Sequence, residues 1–171
     1  MEAGVITDMR AASPLGATVH PNGVNFSLFS RSATDVALLL FDREEDARPS
    51  RTIRIDPAAN RTYHYWHVFV PGIQAGQLYA YRVSGPLDPA NGLRCDPAKV
   101  LLDPFGRGVV VPKGYSRAAA TTPGDNAATA MKRPGSSGHL LCQGSYHASV
   151  KPSRCIDAIG SRRPERSASR A

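Results

Sequence analysis

Between residues 13 and 112 the chain repeats one pattern, a short apolar run closed by a cluster of Gly, Pro, Asn or Asp. After the turn sequence HPNG (20–23), the stretch VNFSLFS puts Val24, Phe26 and Leu28 on one face and Asn25, Ser27 and Phe29 on the other. This is the two-residue period of a strand with one polar side. TDVALLLF (34–41) is continuously apolar, as expected of a strand covered on both faces. The turn DREEDARPS leads into RTIRID, where Ile53 and Ile55 alternate with Thr52 and exposed arginines. YHYWHVFV (63–70) ends at Pro71-Gly72, and GQLYAYRVSG sets Leu78, Ala80 and Arg82 opposite Tyr79, Tyr81 and Val83. Five or six strands at roughly ten-residue spacing, with almost no helical periodicity, predict an all-β antiparallel β-sandwich.

The pattern changes twice after that. In residues 86–112, repeated Asp-Pro steps stiffen the backbone and push each preceding residue towards extended geometry. This predicts a segment that crosses a surface, anchored by Val100, Leu101, Leu102 and Phe105. Beyond Met131 the chain is rich in Ser, Arg, Gly and Pro without sustained periodicity, and a disordered tail is expected. The organisation expected is an N-terminal extension (1–12), a sandwich (13–112), a linker (113–132) and a disordered basic tail (133–171).

Charge follows that division. Residues 1–131 hold 13 Lys and Arg against 12 Asp and Glu, whereas residues 132–171 hold 8 against 2, so +6 of the net charge of +7 belongs to the tail. Of the aromatic residues, Tyr146 alone lies in the tail, so no packed core is expected there. Arginine pairs without a folded reader contact phosphate non-specifically at most, and no specific nucleic-acid partner is expected. The N-terminus has no long apolar run and reads as neither a leader nor a membrane span. No membrane partner and a cytoplasmic location are therefore expected.

Candidate chemistry is sparse. Three cysteines without a CxxC pair argue against a zinc site or a disulfide framework, and no cofactor is expected. His64 and His67, three apart in a presumed strand, fall on opposite faces and cannot chelate together. Asp42, Glu44, Glu45 and Asp46 crowd one turn beside Arg43 and Arg48, which suits solvated charge better than a rigid catalytic pair. Six of the twelve aromatics lie in residues 63–86. Exposed Trp and Tyr can stack on the C–H faces of a pyranose, which makes Trp66, Tyr63 and Tyr65 the carbohydrate-binding candidates. Alternation puts His64, Trp66, Val68 and Val70 on one face and Tyr63, Tyr65, His67 and Phe69 on the other, so at least one of these faces is core.

Four segments then carry a family likeness: SPLGATVHPNGVNFSLFS (13–30), VALLLFD (36–42), YWHVFVPGIQAGQLYAYRVSGPLDPANGLRCDPAKVLLDPFGR (65–107) and GDNAATAMK (124–132). In this order they resemble the N-terminal region of bacterial isoamylase-type glycogen debranching enzymes of glycoside hydrolase family 13. Tyr-x-Tyr-Arg-Val-x-Gly-Pro followed by Leu-Leu-Asp-Pro-Phe is the most specific part of the match. The resemblance implies an immunoglobulin-like β-sandwich of the family 48 carbohydrate-binding-module type, an α-glucan such as glycogen as partner, and a catalytic barrel following in the parent enzyme. In that family the catalytic Asp, Glu and Asp of α-1,6 hydrolysis lie on the barrel, so no catalytic residue is expected in this chain. A barrel needs roughly 200 residues or more. The likeness stops at Lys132, and a truncated or out-of-frame reading of a longer gene is expected. A stand-alone carbohydrate-binding or interaction module with a basic tail is the alternative.

Overall fold

A computed structural model describes residues 11–135. The expected disorder of the basic tail falls on residues outside that range, except for its first residues, which are ordered. The chain forms β1 (Gly16–His20), β2 (Gly23–Phe29), β3 (Asp35–Phe41), β4 (Arg51–Ile55), β5 (Arg61–Thr62), β6 (Tyr65–Pro71), β7 (Leu78–Ser84), β8 (Leu87–Asp88), β9 (Leu93–Arg94) and β10 (Arg133–Pro134). There is no α-helix among the described residues, only two short 3-10 turns. Two four-stranded antiparallel sheets, ordered β1-β2-β6-β5 and β10-β7-β3-β4, face each other as an immunoglobulin-like sandwich. They are called the first and second sheet below.

The core follows from the alternation. Val24, Phe26 and Leu28 of β2 sit opposite Val70, Val68 and Trp66 of β6, and all six side chains are buried. From the second sheet, Val36, Leu38 and Leu40 pair with Val83, Tyr81 and Tyr79 and complete the same cluster. The two layers lock through aromatic edges, with Phe26 packed edge-on against Tyr79 at 4.9 Å between ring centroids. Where β1 turns into β2, a Cβ on Gly23 would lie 2.3 Å from the carbonyl oxygen of Val70, so only glycine lets β2 approach β6 this closely.

The other faces of the two sheets are treated differently. On the outside of the second sheet, Ala37, Leu39 and Phe41 of β3 and Ala80 of β7 form a second apolar cluster with Val100, Ala127 and Ala130. The continuous apolar run of β3 therefore has its physical reason, a strand packed on both faces. The covering layer is the chain's own irregular segment between residues 96 and 132. Within the stretch expected as a linker, Asn126, Ala127, Ala130 and Lys132 are buried against the sandwich, and Arg133 and Pro134, assigned by sequence to the tail, pair with Tyr79 and Leu78.

Two buried lysines fasten this cover. Lys99 Nζ donates to the carbonyls of Ala119, Thr122 and Gly124, gathering that loop around one ammonium. Lys132 is fully buried; its Nζ donates to the Glu44 carbonyl at 2.6 Å and stands 4.6 Å from the centre of the Phe41 ring. Asn126 reinforces both, accepting from Val100 N through Oδ1 and donating back to the Val100 carbonyl. Each contact satisfies backbone groups that an irregular buried segment would otherwise leave bare.

A third tether is Asp103, also fully buried. Its carboxylate accepts from Tyr79 Oη at 2.8 Å and from Phe105 N at 2.8 Å, while Arg133 Nε donates to its backbone carbonyl. Burial pushes the Asp103 carboxyl above the ordinary aspartate range, against the hydrogen bonds and the Arg133 charge that pull it down. Burial, together with the Asp103 charge, also pushes the Tyr79 and Tyr81 phenols up. Of the expected anchors, Val100 is buried and Leu101 joins the main core, bridging to Tyr81. Phe105 departs from expectation and stays 45 % exposed, while its backbone carbonyl passes close to Gly16.

Candidate functional site

The outer face of the first sheet carries the row Tyr65, His67 and Phe69 of β6 next to Phe29, Ser27 and Asn25 of β2. Its centre is crossed by the chain's own N-terminal stretch. Asn25 exchanges two hydrogen bonds with the backbone of Ala11, and Ser27 Oγ donates to the Ala12 carbonyl. What stays open is the end near the β5–β6 hairpin.

The three sequence candidates part company at this hairpin. Trp66 points into the sandwich, is fully buried, and donates Nε1–H to the Ser30 carbonyl at 3.3 Å. It presents no face to a ligand, which corrects the expectation that it touches sugar. The reason is register: Trp66 pairs with Leu28, whose alternation places both towards the core. Arg61, opposite Trp66 in β5, closes that edge with its guanidinium carbon 4.7 Å from the indole centre.

Tyr63 and Tyr65 do reach the surface. Thr62 pairs with Tyr65, so Tyr63 and His64 form a two-residue hairpin tip and are not the first residues of a longer strand. The alternation drawn through 63–70 therefore holds only from Tyr65 onward. Tyr63 has φ +58°, the left-handed region that hairpins usually fill with Gly, Asn or Asp, and its side chain is 77 % exposed. No Gly or Asn-Gly signal marks this turn in the sequence, which is why the tip was not legible there.

Four rings follow one another at this end. Tyr63 lies 3.7 Å from His64 between centroids, His64 is edge-on to Phe29 at 5.9 Å, and Phe29 is edge-on to Tyr65 at 5.3 Å. The tip is held from both sides, by Arg61 Nε donating to the Tyr63 carbonyl and Ser30 N donating to the His64 carbonyl, both at 2.9 Å. Thr62 Oγ1 stands 3.0 Å from His67 Nε2 just behind it. Phe29 and His64 were absent from the sequence candidates; Phe29 could have been found as the one large apolar residue on the polar side of VNFSLFS.

Such a surface offers ring faces and few charges, so its chemistry is contact with flat apolar surfaces. No group of three or more His, Cys, Asp or Glu side chains among the described residues could hold a metal. The carboxylates of the 42–46 turn are engaged locally: Asp42 accepts from Ser50 Oγ, Asp46 from Arg43 N, and Glu45 from Lys113 N. A shallow concavity between Pro14, Leu15, Thr18, Phe105 and Arg107 lies at the opposite, β1 edge and brings no acid–base pair together. No helix among the described residues is long and apolar enough to cross a membrane.

Two facing antiparallel sheets with an aromatic hairpin end place the chain among the immunoglobulin-like β-sandwich domains. The chain belongs to the carbohydrate-binding module 48 (isoamylase N-terminal domain) family, whose model matches residues 14–106. It is 50 % identical over 101 residues to a glycogen debranching enzyme of Serratia proteamaculans, a match covering 59 % of this chain and 14 % of the relative. It is 51 % identical over 96 residues to a glycogen operon protein GlgX homolog of Mycobacterium tuberculosis, covering 56 % of this chain and 12 % of that protein. Isoamylase 1, chloroplastic, of Arabidopsis thaliana is 36 % identical over 100 residues, 57 % of this chain and 13 % of the relative. The matched part thus spans about one seventh of these relatives. Among solved structures, the catalytic module of the multi-modular glycogen-degrading pneumococcal virulence factor SpuA superposes on 72 % of this chain and 16 % of its own, with TM-score 0.52 and 19 % identity, which shows a shared fold.

Proposed function

We propose that this chain is the α-glucan-associated N-terminal part of a cytoplasmic glycogen-debranching enzyme whose α-1,6-hydrolysing barrel lies outside it. The observation that carries the reading is the family match over 14–106, joined to relatives named for glycogen debranching. The domain limits follow the same reading, with a sandwich from residue 13 to 112 and a connector from 113 to 132 that leads towards the catalytic domain. Phe105, Val109 and Val111 are exposed on the stretch that runs beside β10, where the chain leaves the sandwich, and they form the surface on which that domain packs.

Sugar contact is assigned to the hairpin end that carries Tyr63 and Tyr65, with Trp66 as the buried support beneath it. Glycogen is the partner, and binding is weak because the surface is small and open. Affinity electrophoresis in gels containing glycogen tests this. Retarded migration relative to gels containing cellulose-derived β-glucan is expected, and equal migration in both overturns the reading.

A further inference from the structure

We propose that Tyr63 is the recognition anchor of the domain, a single-ring platform that stacks on one glucosyl unit at a time and is held ready by a backbone that stability alone would not choose. This rests on the α-glucan reading above and specifies which side chain does the binding and how much of the ligand it takes.

The first observation is conformational. Tyr63 sits at φ +58°, where an L-residue's Cβ crowds the backbone, so that Gly, Asn or Asp is the ordinary occupant. The second is exposure. With 77 % of its surface open, the ring adds little to the core; its neighbour is His64, at the same tip. A bulky aromatic in a disfavoured conformation, whose ring contact is a neighbour at the same exposed tip, contributes little to the core of the folded domain. Residues held this way mark sites where geometry serves a ligand.

The third observation is support. The Tyr63 carbonyl is held by Arg61 Nε, Arg61 in turn rests on the Trp66 ring, and Trp66 is fixed in the core and to the Ser30 carbonyl. The next carbonyl, of His64, is held by Ser30 N. The tip is therefore tied to the sandwich and pre-ordered, which limits the entropy lost on binding. The fourth is width. Phe29 and Tyr65 are half-buried and meet edge-on at 70°, so they do not extend the Tyr63 face into a longer flat strip. One phenol face matches one pyranose face.

The test compares Tyr63→Asn, Tyr63→Gly and Tyr63→Phe in the full chain, by affinity electrophoresis with glycogen and by thermal melting. Tyr63→Asn and Tyr63→Gly are expected to weaken glycogen retardation about 3- to 10-fold. The melting temperature of Tyr63→Gly should be equal to the wild type's or up to ~4 °C higher, since the first position of a two-residue loop at positive φ favours glycine. Tyr63→Phe keeps the ring and should keep retardation. Maltose and maltoheptaose should compete at concentrations within about threefold of one another, counted per binding site, as expected of a one-unit contact. If the wild type is retarded and Tyr63→Asn is retarded equally, the anchor is overturned while the α-glucan reading stands. A competition that strengthens steeply with chain length overturns the one-unit mode. If the wild type itself is not retarded, the α-glucan reading falls and takes the anchor with it.

Discussion

The two outer faces of this sandwich have opposite fates. The face of the second sheet is roofed by the chain's own segment from 96 to 132, fastened by Lys99, Lys132, Asn126 and Asp103. The face of the first sheet receives only a thin N-terminal strap at Asn25 and Ser27, and its hairpin end stays open with four rings in series. Lys99, Asp103, Asn126 and Lys132 are buried where the roof lies, so that side is committed to stability. Aromatic exposure is concentrated at the other, so contact with a ligand falls there.

The contrast between support and surface is tested most sharply at Trp66. Trp66→Ala removes a fully buried indole beneath the hairpin and is expected to cost about 3–5 kcal/mol in urea unfolding. A loss below ~1 kcal/mol would place the indole at the surface after all. The roof is tested next at Lys132. Lys132→Ala leaves the Glu44 carbonyl without its donor and should cost about 2–3 kcal/mol. Lys132→Met keeps the stem over Phe41 but equally lacks a donor for the Glu44 carbonyl, so it should recover only the packing part of that loss. Equal loss in both would make the ammonium, not the packing, the fastener.

Asp103 gives a smaller, pH-dependent effect. Because burial raises its carboxyl in the fold, the folded state holds this proton more tightly than the unfolded chain does. Its contribution to stability is fully present below the ordinary aspartate range and is lost as pH rises through the raised value. Asp103→Asn cannot ionise, so its melting temperature should gain on the wild type's between about pH 4 and pH 7. For Asp125 burial pushes the carboxyl up, but the Arg82 hydrogen bond and neighbouring amides outweigh it and hold it low. That opposite slope is common to both proteins and cancels in the comparison. The smallest effect is expected at the Arg82–Asp125 pair itself. It is 2.6 Å long but has side chains 31 % and 55 % exposed, and Arg82→Ala should cost less than about 1 kcal/mol in the same unfolding assay.

Most of the sandwich was legible in the order of residues. The alternation in β2, the two-sided apolar run of β3 and the opposed sets of β7 each gave the correct face, because a strand's side-chain period of two is fixed by its backbone. The hairpin tip was not legible, since Tyr63-His64 carries none of the usual turn residues and its geometry is imposed by pairing of Thr62 with Tyr65. The roof was half legible: the Asp-Pro steps showed a stiff surface-crossing segment, but not that it continues to Lys132 and buries two lysines.

The sequence by itself determined the sheet-forming pattern and the family, because these depend on local periodicity and on contiguous motifs. Tertiary structure alone decided which aromatic is core and which is surface. Trp66 and Tyr63 are three residues apart and chemically alike, and only the pairing of β6 with β2 and β5 sends one inward and leaves the other at the tip.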